Sequence, residues 1–199
     1  MSDYPGLLIA FEGIDNAGKT TQVQRIGNWV RSQGRDTLIS RELGTSIGQC
    51  FRAEFEAGKL SPRVKALLFA ADRYHRLETE ISPALGRGIV VLADRWALSS
   101  MVYRSVEGQG MTLVKYINEG VTQPDMTFLI DVDPDLAYQR GQAANRHSPY
   151  GLDFLGLARK RYLELVQQEK LVVVDGSKSI EQVARNIMGH LVPLLENLK

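Results

Sequence analysis

The sequence predicts an α/β fold in three layers, with a five-stranded parallel sheet between helices, on three observations. Its best strand candidates are short apolar runs without polar alternation, as strands covered on both faces require. Stretches with apolar residues at helical spacing separate these runs. A glycine-rich turn joins the first run to the first helical stretch, and in such sheets ligands bind at the carboxyl ends of the strands. With 199 residues and no Pro/Ser/Gly-rich linker or internal repeat, the chain reads as one domain over 1–199.

The first strand is Leu7 to Phe11, followed after the turn by a helix carrying Val23, Ile26 and Val30 and ending near Gly34. Thr37 to Ser40 reads as a short second strand. Val64, Leu67, Leu68, Ala71, Ile81 and Leu85 recur at helical spacing. Ile89 to Ala93 is the clearest central strand, β-branched and unalternated. Leu98 to Val106 and Leu113 to Ile117 read as helices, Thr127 to Val132 and Leu171 to Val174 as the last two strands. Ile180, Val183, Ile187, Leu191, Leu194 and Leu198 form one stripe on a closing helix.

Composition narrows the partners. Lys plus Arg number 24 against 23 Asp plus Glu, net +1, which argues against a protein that coats nucleic acid but permits a local cationic pocket. The single cysteine, Cys50, makes neither an intrachain disulfide nor a Cys-based zinc site, and the reducing cytoplasm is the expected compartment. The apolar run at Leu7 is too short for a signal segment or a membrane span.

Gly13-Ile14-Asp15-Asn16-Ala17-Gly18-Lys19-Thr20 fits G-x-x-x-x-G-K-[ST] in the strand, loop, helix context that pattern needs. Gly13 and Gly18 let the backbone curl so that its N–H groups face a phosphate, with the helix start adding its positive end. Lys19 then reaches the β- and γ-phosphoryl oxygens and the Thr20 hydroxyl serves Mg²⁺. The fold class is thus a P-loop NTPase-type α/β/α sandwich. The pattern alone does not name a reaction, since GTPases, helicases, transporters and small kinases share it.

Asp94 and Arg95 follow the central strand. The carboxylate faces the phosphate loop as a magnesium ligand, and the guanidinium is a rigid fork for phosphoryl oxygens; a surface ion pair is the structural alternative. Arg41, at the end of the second strand, is placed to clamp a monophosphate or simply to be solvated. Phe69 and Arg73 lie four apart on one helix face, where a ring can stack on a base and a guanidinium read its edge; periodicity alone equally accounts for Phe69 as core. Tyr103 and Arg104 carry the same two readings. The polar, glycine-bounded stretch Leu136 to Gly151 has two arginines, Arg140 and Arg146, and suits a movable lid at about 141–151 that excludes water. His147 within it is expected at the surface, and the three dispersed histidines make no metal-ligand pattern.

The ordered series FEGIDNAGKTTQ, RELGT, LLFAADRYH, ISPAL, GIVVLADRW, SSMVY and QPDMTFLIDVDPDLAYQR resembles the thymidylate kinases over nearly the whole chain. That resemblance implies transfer of phosphate from ATP to a deoxynucleoside monophosphate, dTMP first, with Mg²⁺ and commonly as a homodimer. It implies Gly13, Asn16, Ala17, Gly18, Lys19, Thr20 and Thr21 as the ATP cradle, Thr20 and Asp94 for the metal, and Arg95 as the bridge between phosphoryl groups. Asp15 would meet the sugar 3′-hydroxyl, Arg41 the acceptor phosphate, Phe69 and Arg73 the base, with Ser99, Ser100, Tyr103 and Arg104 completing the acceptor site. Asn16 stands where some members carry a catalytic arginine, which leaves Arg146 or Arg140 for that role. The chain departs from the family's REPGGT at Leu43-Gly44-Thr45, from DRY at Trp96, from AYQG at Arg104-Ser105, and from the lid's acidic-Arg-x-Glu at Asn145-Arg146-His147-Ser148. These changes border the acceptor, so dUMP or a 5-modified pyrimidine nucleotide is the alternative substrate. A GTPase-like module lacks its NKxD-type guanine reader here, and a non-catalytic interaction module would have no use for the intact phosphate-transfer residues.

Overall fold

A computed structural model describes residues 4–146 and 148–198; His147 lies outside them. Five parallel strands form one sheet in the order β2-β3-β1-β4-β5. They are β1 (Leu7–Glu12), β2 (Thr37–Arg41), β3 (Val90–Asp94), β4 (Met126–Asp131) and β5 (Val172–Asp175). β1 sits at the centre, pairing Leu7 to Phe11 with Val90 to Asp94 on one side and Ile9 to Glu12 with Met126 to Leu129 on the other. Every residue of β1 and β3 is buried, which is why neither alternates. β5, at the edge, leaves Val173 exposed.

Side chains alternate across the pleat, so β1 feeds two cores. Leu7, Ile9 and Phe11 pack with α1 (Lys19–Ser32), α8 (Leu152–Leu165) and α9 (Ile180–Glu196). Leu8 and Ala10 pack with Leu77, Ile81, Leu85 and Trp96 on the other face. Each large aliphatic side chain so buried contributes roughly 1.5–3 kcal/mol of transfer free energy. α9 begins with a capping box between Ser179 and Gln182, which fixes where the C-terminal stripe starts.

The helical stretch expected from Val64 to Leu85 is a continuous rod, α3 (Pro62–Arg76), a π-helical turn (Leu77–Ile81) and α4 (Ser82–Gly86). α5 (Ala97–Val106) and α6 (Met111–Tyr116) also follow expectation. Two further helices do not. α2 (Ser46–Glu56) starts at Thr45, whose hydroxyl accepts from the Gly48 N–H, and its buried face joins a small satellite cluster around Phe51 and Phe69 rather than the main core. α7 (Pro134–Ala143) takes up the first half of the polar stretch from Leu136 to Gly151. Asp133 caps it by accepting from the Asp135 N–H and Pro134 opens its first turn, a start signal legible in Asp-Pro-Asp. Gly141 to Ala143 are its last residues, and the connection to α8 is the segment after them.

Candidate active site

The carboxyl ends of β1 and β3 open onto one cleft of about 730 Å³, within the size range of small-molecule sites. All the sequence-predicted site residues line it except Gly13 and Arg73.

Gly13 sits behind the loop with φ 138°; a Cβ there would fall 2.5 Å from the Ile130 carbonyl of β4, so the loop can close against the sheet only without a side chain. Gly18 caps α1 at φ 103°, and α1 has neither a side-chain N-cap nor an acidic residue in its first turn. Its positive end is thus left for an anion. Lys19 is buried and donates to the Gly13 carbonyl at 3.0 Å and the Ile14 carbonyl at 2.7 Å. Burial, with Arg95 close by, lowers its pKa to about 8. The Thr20 hydroxyl donates to Asp94 Oδ2 at 2.6 Å. A hydroxyl and a carboxylate are hard oxygen donors of the kind Mg²⁺ takes, with phosphate oxygens and water completing its shell. The described residues include no group of three or more His, Cys, Asp or Glu side chains that could cage a metal by themselves. Arg41 Nε lies 3.7 Å from the same Asp94 oxygen, and its side chain is 63% exposed, free to swing onto an anion.

Arg95 is the hub between the two ends of the cleft. Its backbone has φ 72°, uncommon for a side-chain-bearing residue and held by its N–H on the Phe11 carbonyl at 3.1 Å. The guanidinium donates to the Gly13 carbonyl at 3.1 Å, Ser99 Oγ at 3.0 Å and the Tyr103 hydroxyl at 3.2 Å, and pairs with Asp15. Burial alone would raise the Asp15 pKa; Arg95, Lys19 and the hydroxyls of Ser148 and Tyr103 outweigh it, and the carboxyl stays below its usual value. Tyr103 donates to Asp15 at 3.0 Å and its ring lies under the Arg95 guanidinium.

Glu12 underlies this arrangement, and the motif reading passes over it. Fully buried at the end of β1, it accepts from the Trp96 and Ser99 N–H groups at 2.9 and 3.2 Å, from Ser99 Oγ, and from the Tyr162 hydroxyl at 2.9 Å. It thereby ties the start of α5 to β1 and to α8, and α5 carries Ser99, Ser100, Tyr103 and Arg104 to the cleft.

At the far end Phe69 meets Phe51 and Phe55 edge-on at 5.5 and 5.1 Å, and the Arg104 guanidinium lies over its ring at 5.3 Å. Phe69 therefore belongs to the satellite cluster and also lines the cleft. Arg73 is placed behind the wall: it is 1% exposed and donates to Ser100 Oγ at 2.8 Å, Glu42 Oε1 at 3.3 Å and Asn118. Ser100 and Glu42 face the cleft in front of it. Burial raises the Glu42 pKa, with Arg73 partly opposing.

Arg140, at the end of α7, and Arg146, in the connection to α8, enter from above with Ser148 and Tyr150. Arg159 of α8 grips Asp131 with two bonds of 2.8 and 3.0 Å, fixing the far end of that connection to β4. At the other end of the cleft Gly176, Lys178, Ser179 and Val183 line the wall beside the phosphate loop, residues that motif reading omits.

The thymidylate kinase family model matches residues 11–187. A thymidylate kinase of Dinoroseobacter shibae is 38% identical, over 94% of this chain and 97% of that protein. One from Bifidobacterium longum subsp. infantis is 38% identical, over 96% and 88%, and a probable thymidylate kinase of Archaeoglobus fulgidus 37%, over 91% and 92%. With its phosphate loop, its Thr20-Asp94 pair and these matches over nearly the whole chain, the chain belongs to the thymidylate kinase family.

Proposed function

We propose that the protein transfers the γ-phosphoryl group of ATP to thymidine monophosphate, giving the diphosphate by direct in-line displacement. The observation that carries this reading is Arg95, which bonds on one side to Gly13 and Asp15 of the phosphate loop and on the other to Ser99 and Tyr103 of α5. Lys19 and the loop N–H groups hold the donor phosphates, Arg95 holds donor and acceptor phosphoryl oxygens in line, and Arg41 grips the acceptor phosphate. Asp15 accepts from the sugar hydroxyl, and Phe69 stacks on the base with Ser100 and the Arg73 behind it setting its polar edge. Thr20 and Asp94 hold Mg²⁺, which neutralises charge on the phosphoryl oxygens when bound. An acceptor phosphate is already nucleophilic, so no residue need become a phosphoenzyme.

The segment after α7 acts as a lid, bringing Arg146 and Arg140 over the phosphates and keeping water out. The single domain works in the cytoplasm as a homodimer. Among the described residues no helix is long and apolar enough to cross a bilayer. ATP consumption with product identification across dTMP, dUMP, dCMP, dGMP, dAMP and thymidine tests the reading. Selective formation of dTDP is expected; preference for another acceptor moves the specificity, and turnover of thymidine but not dTMP overturns the assignment.

A further inference from the structure

Two hydrogen-bonded contacts seat the segment between α7 and α8, and both end on the acceptor side of the cleft. Ser148 Oγ donates to Asp15 Oδ2 at 2.6 Å while accepting the Tyr150 N–H at 3.1 Å, which rigidifies the turn. The Tyr150 hydroxyl accepts from Arg104 at 2.8 Å and donates to Glu107 Oε1 at 3.0 Å. Glu107 also holds Lys65 of α3 at 2.6 Å and Arg104 at 3.0 Å, with little of these side chains exposed. Polar bonds so shielded from water outweigh surface pairs. The Tyr150 ring stacks on Phe154 at 4.2 Å, so it enters this cluster as a rigid plug.

Each partner has a second engagement with the acceptor site. Asp15 also holds Arg95 and Tyr103, and Arg104 covers the ring of Phe69. A carboxylate at position 148 could not donate to Asp15 and would repel it, and a neutral amide at position 104 would lack the fork that serves Tyr150 and Glu107 at once.

We propose that Ser148 and Tyr150 are positioning residues that seat the lid on the acceptor pocket, so that the arrangement of Asp15 and Arg104 sets Arg146 for transfer to the acceptor rather than to water. Resting on the kinase reading above, this inference identifies what aligns the lid. Neither side chain needs to touch a reacting atom. Arg146 precedes Ser148 by two positions, and its own N–H bonds back to the Gly141 carbonyl at 2.8 Å, which ties its backbone to the end of α7.

The test compares the full-length protein with Ser148→Ala, Ser148→Glu and Tyr150→Phe. With ATP and thymidine monophosphate, Ser148→Ala and Tyr150→Phe are each expected to lower kcat about five- to tenfold, the size of one lost hydrogen bond. KM for the acceptor stays within about twofold, and the fraction of ATP lost to water rises. Ser148→Glu, which sets two carboxylates together, is expected to do more harm than Ala. Amide exchange at Tyr150 and Gly151, read without substrate, should quicken in all three variants. Unchanged exchange overturns the seating, and a raised acceptor KM at constant kcat overturns it too by making these residues binding contacts. Faster exchange with kcat and water partition unmoved removes the coupling. A wild-type protein inactive on thymidine monophosphate would defeat the kinase reading alone, since the exchange arm still decides the pins.

Discussion

At the scale of single residues, Arg95 and Lys19 make the sharpest statements. Arg95 meets Gly13, Asp15, Ser99 and Tyr103 with one planar fork. Replacing it with Ala is expected to lower kcat/KM by about 10²–10³ with the fold retained, as for other pre-organised donors to a transition state. Lys cannot reproduce so many directed bonds and should recover little. Near-normal steady-state kinetics in Arg95→Ala would remove it from the mechanism. Lys19 predicts a pH dependence. Burial and Arg95 lower its pKa from 10.5 to about 8, and bound phosphate restores the ammonium. Nucleotide binding above that pKa therefore takes up a proton, and ATP affinity falls as pH rises through 8. Calorimetry in buffers of different ionisation enthalpy between about pH 7 and about pH 9 reads both effects. Stability of the ligand-free protein moves oppositely. Between about 8 and 10.5 the unfolded chain holds more of this proton than the folded one, so the lysine's contribution to stability rises with pH across that window. An ATP affinity flat over the range would mean that the lysine charge is not what holds the phosphates.

At the scale of elements, the loop from β2 to α2 shows how a family departure becomes a different but consistent structure. Leu43 has φ 60° and its N–H donates to buried Asp72 at 3.0 Å, while Thr45 donates to the same carboxylate at 2.6 Å and caps α2. The family's proline at this position would have neither the N–H nor a positive φ. Leu43→Pro is accordingly expected to cost about 3 kcal/mol or more in denaturant unfolding, and Thr45→Ala about 1 kcal/mol for the cap, more if Asp72 is left unpaired. A proline variant as stable as the parent would show that the loop tolerates both conformations. The same loop marks the boundary of what the sequence discloses. Strands and core helices were legible because β1 and β3 are buried throughout and α9 carries one long stripe. α2 was not, because Phe51 and Phe55 pack on Phe69 in a satellite cluster, and α7 was not, because only Ala137 and Gly141 of it are buried. Phosphate-loop residues could be read from a contiguous motif. Glu12 with Tyr162, or Arg104 with Tyr150, could not, since their partners lie 150 and 46 residues away and no local pattern brings them together.

At the scale of the whole molecule, a chain of net charge +1 divides its charges unevenly. Of its 24 Lys and Arg residues eight line the cleft, Lys19, Arg41, Arg52, Arg95, Arg104, Arg140, Arg146 and Lys178, against three acids, Asp15, Glu42 and Asp94. The cleft therefore carries an excess of five positive charges and the remainder of the chain a balance of −4. A cationic cleft in an otherwise acidic body focuses field lines and draws anions inward. Encounter with phosphorylated substrates should then be strongly screened. Between about 0.05 M and about 0.5 M salt, over which the Debye length falls below about 5 Å, kcat/KM for thymidine monophosphate is expected to drop several-fold. Thymidine, uncharged and expected to occupy the same aromatic slot, should inhibit with a constant that salt barely changes. Competition assays with the two ligands across one salt series separate the field from the slot. Equal loss for both would mean that salt acts on the fold or the slot, and equal indifference would mean that the acids at the rim, Asp94 with Arg41 and Asp15 with Arg95, already neutralise the cations the acceptor meets first.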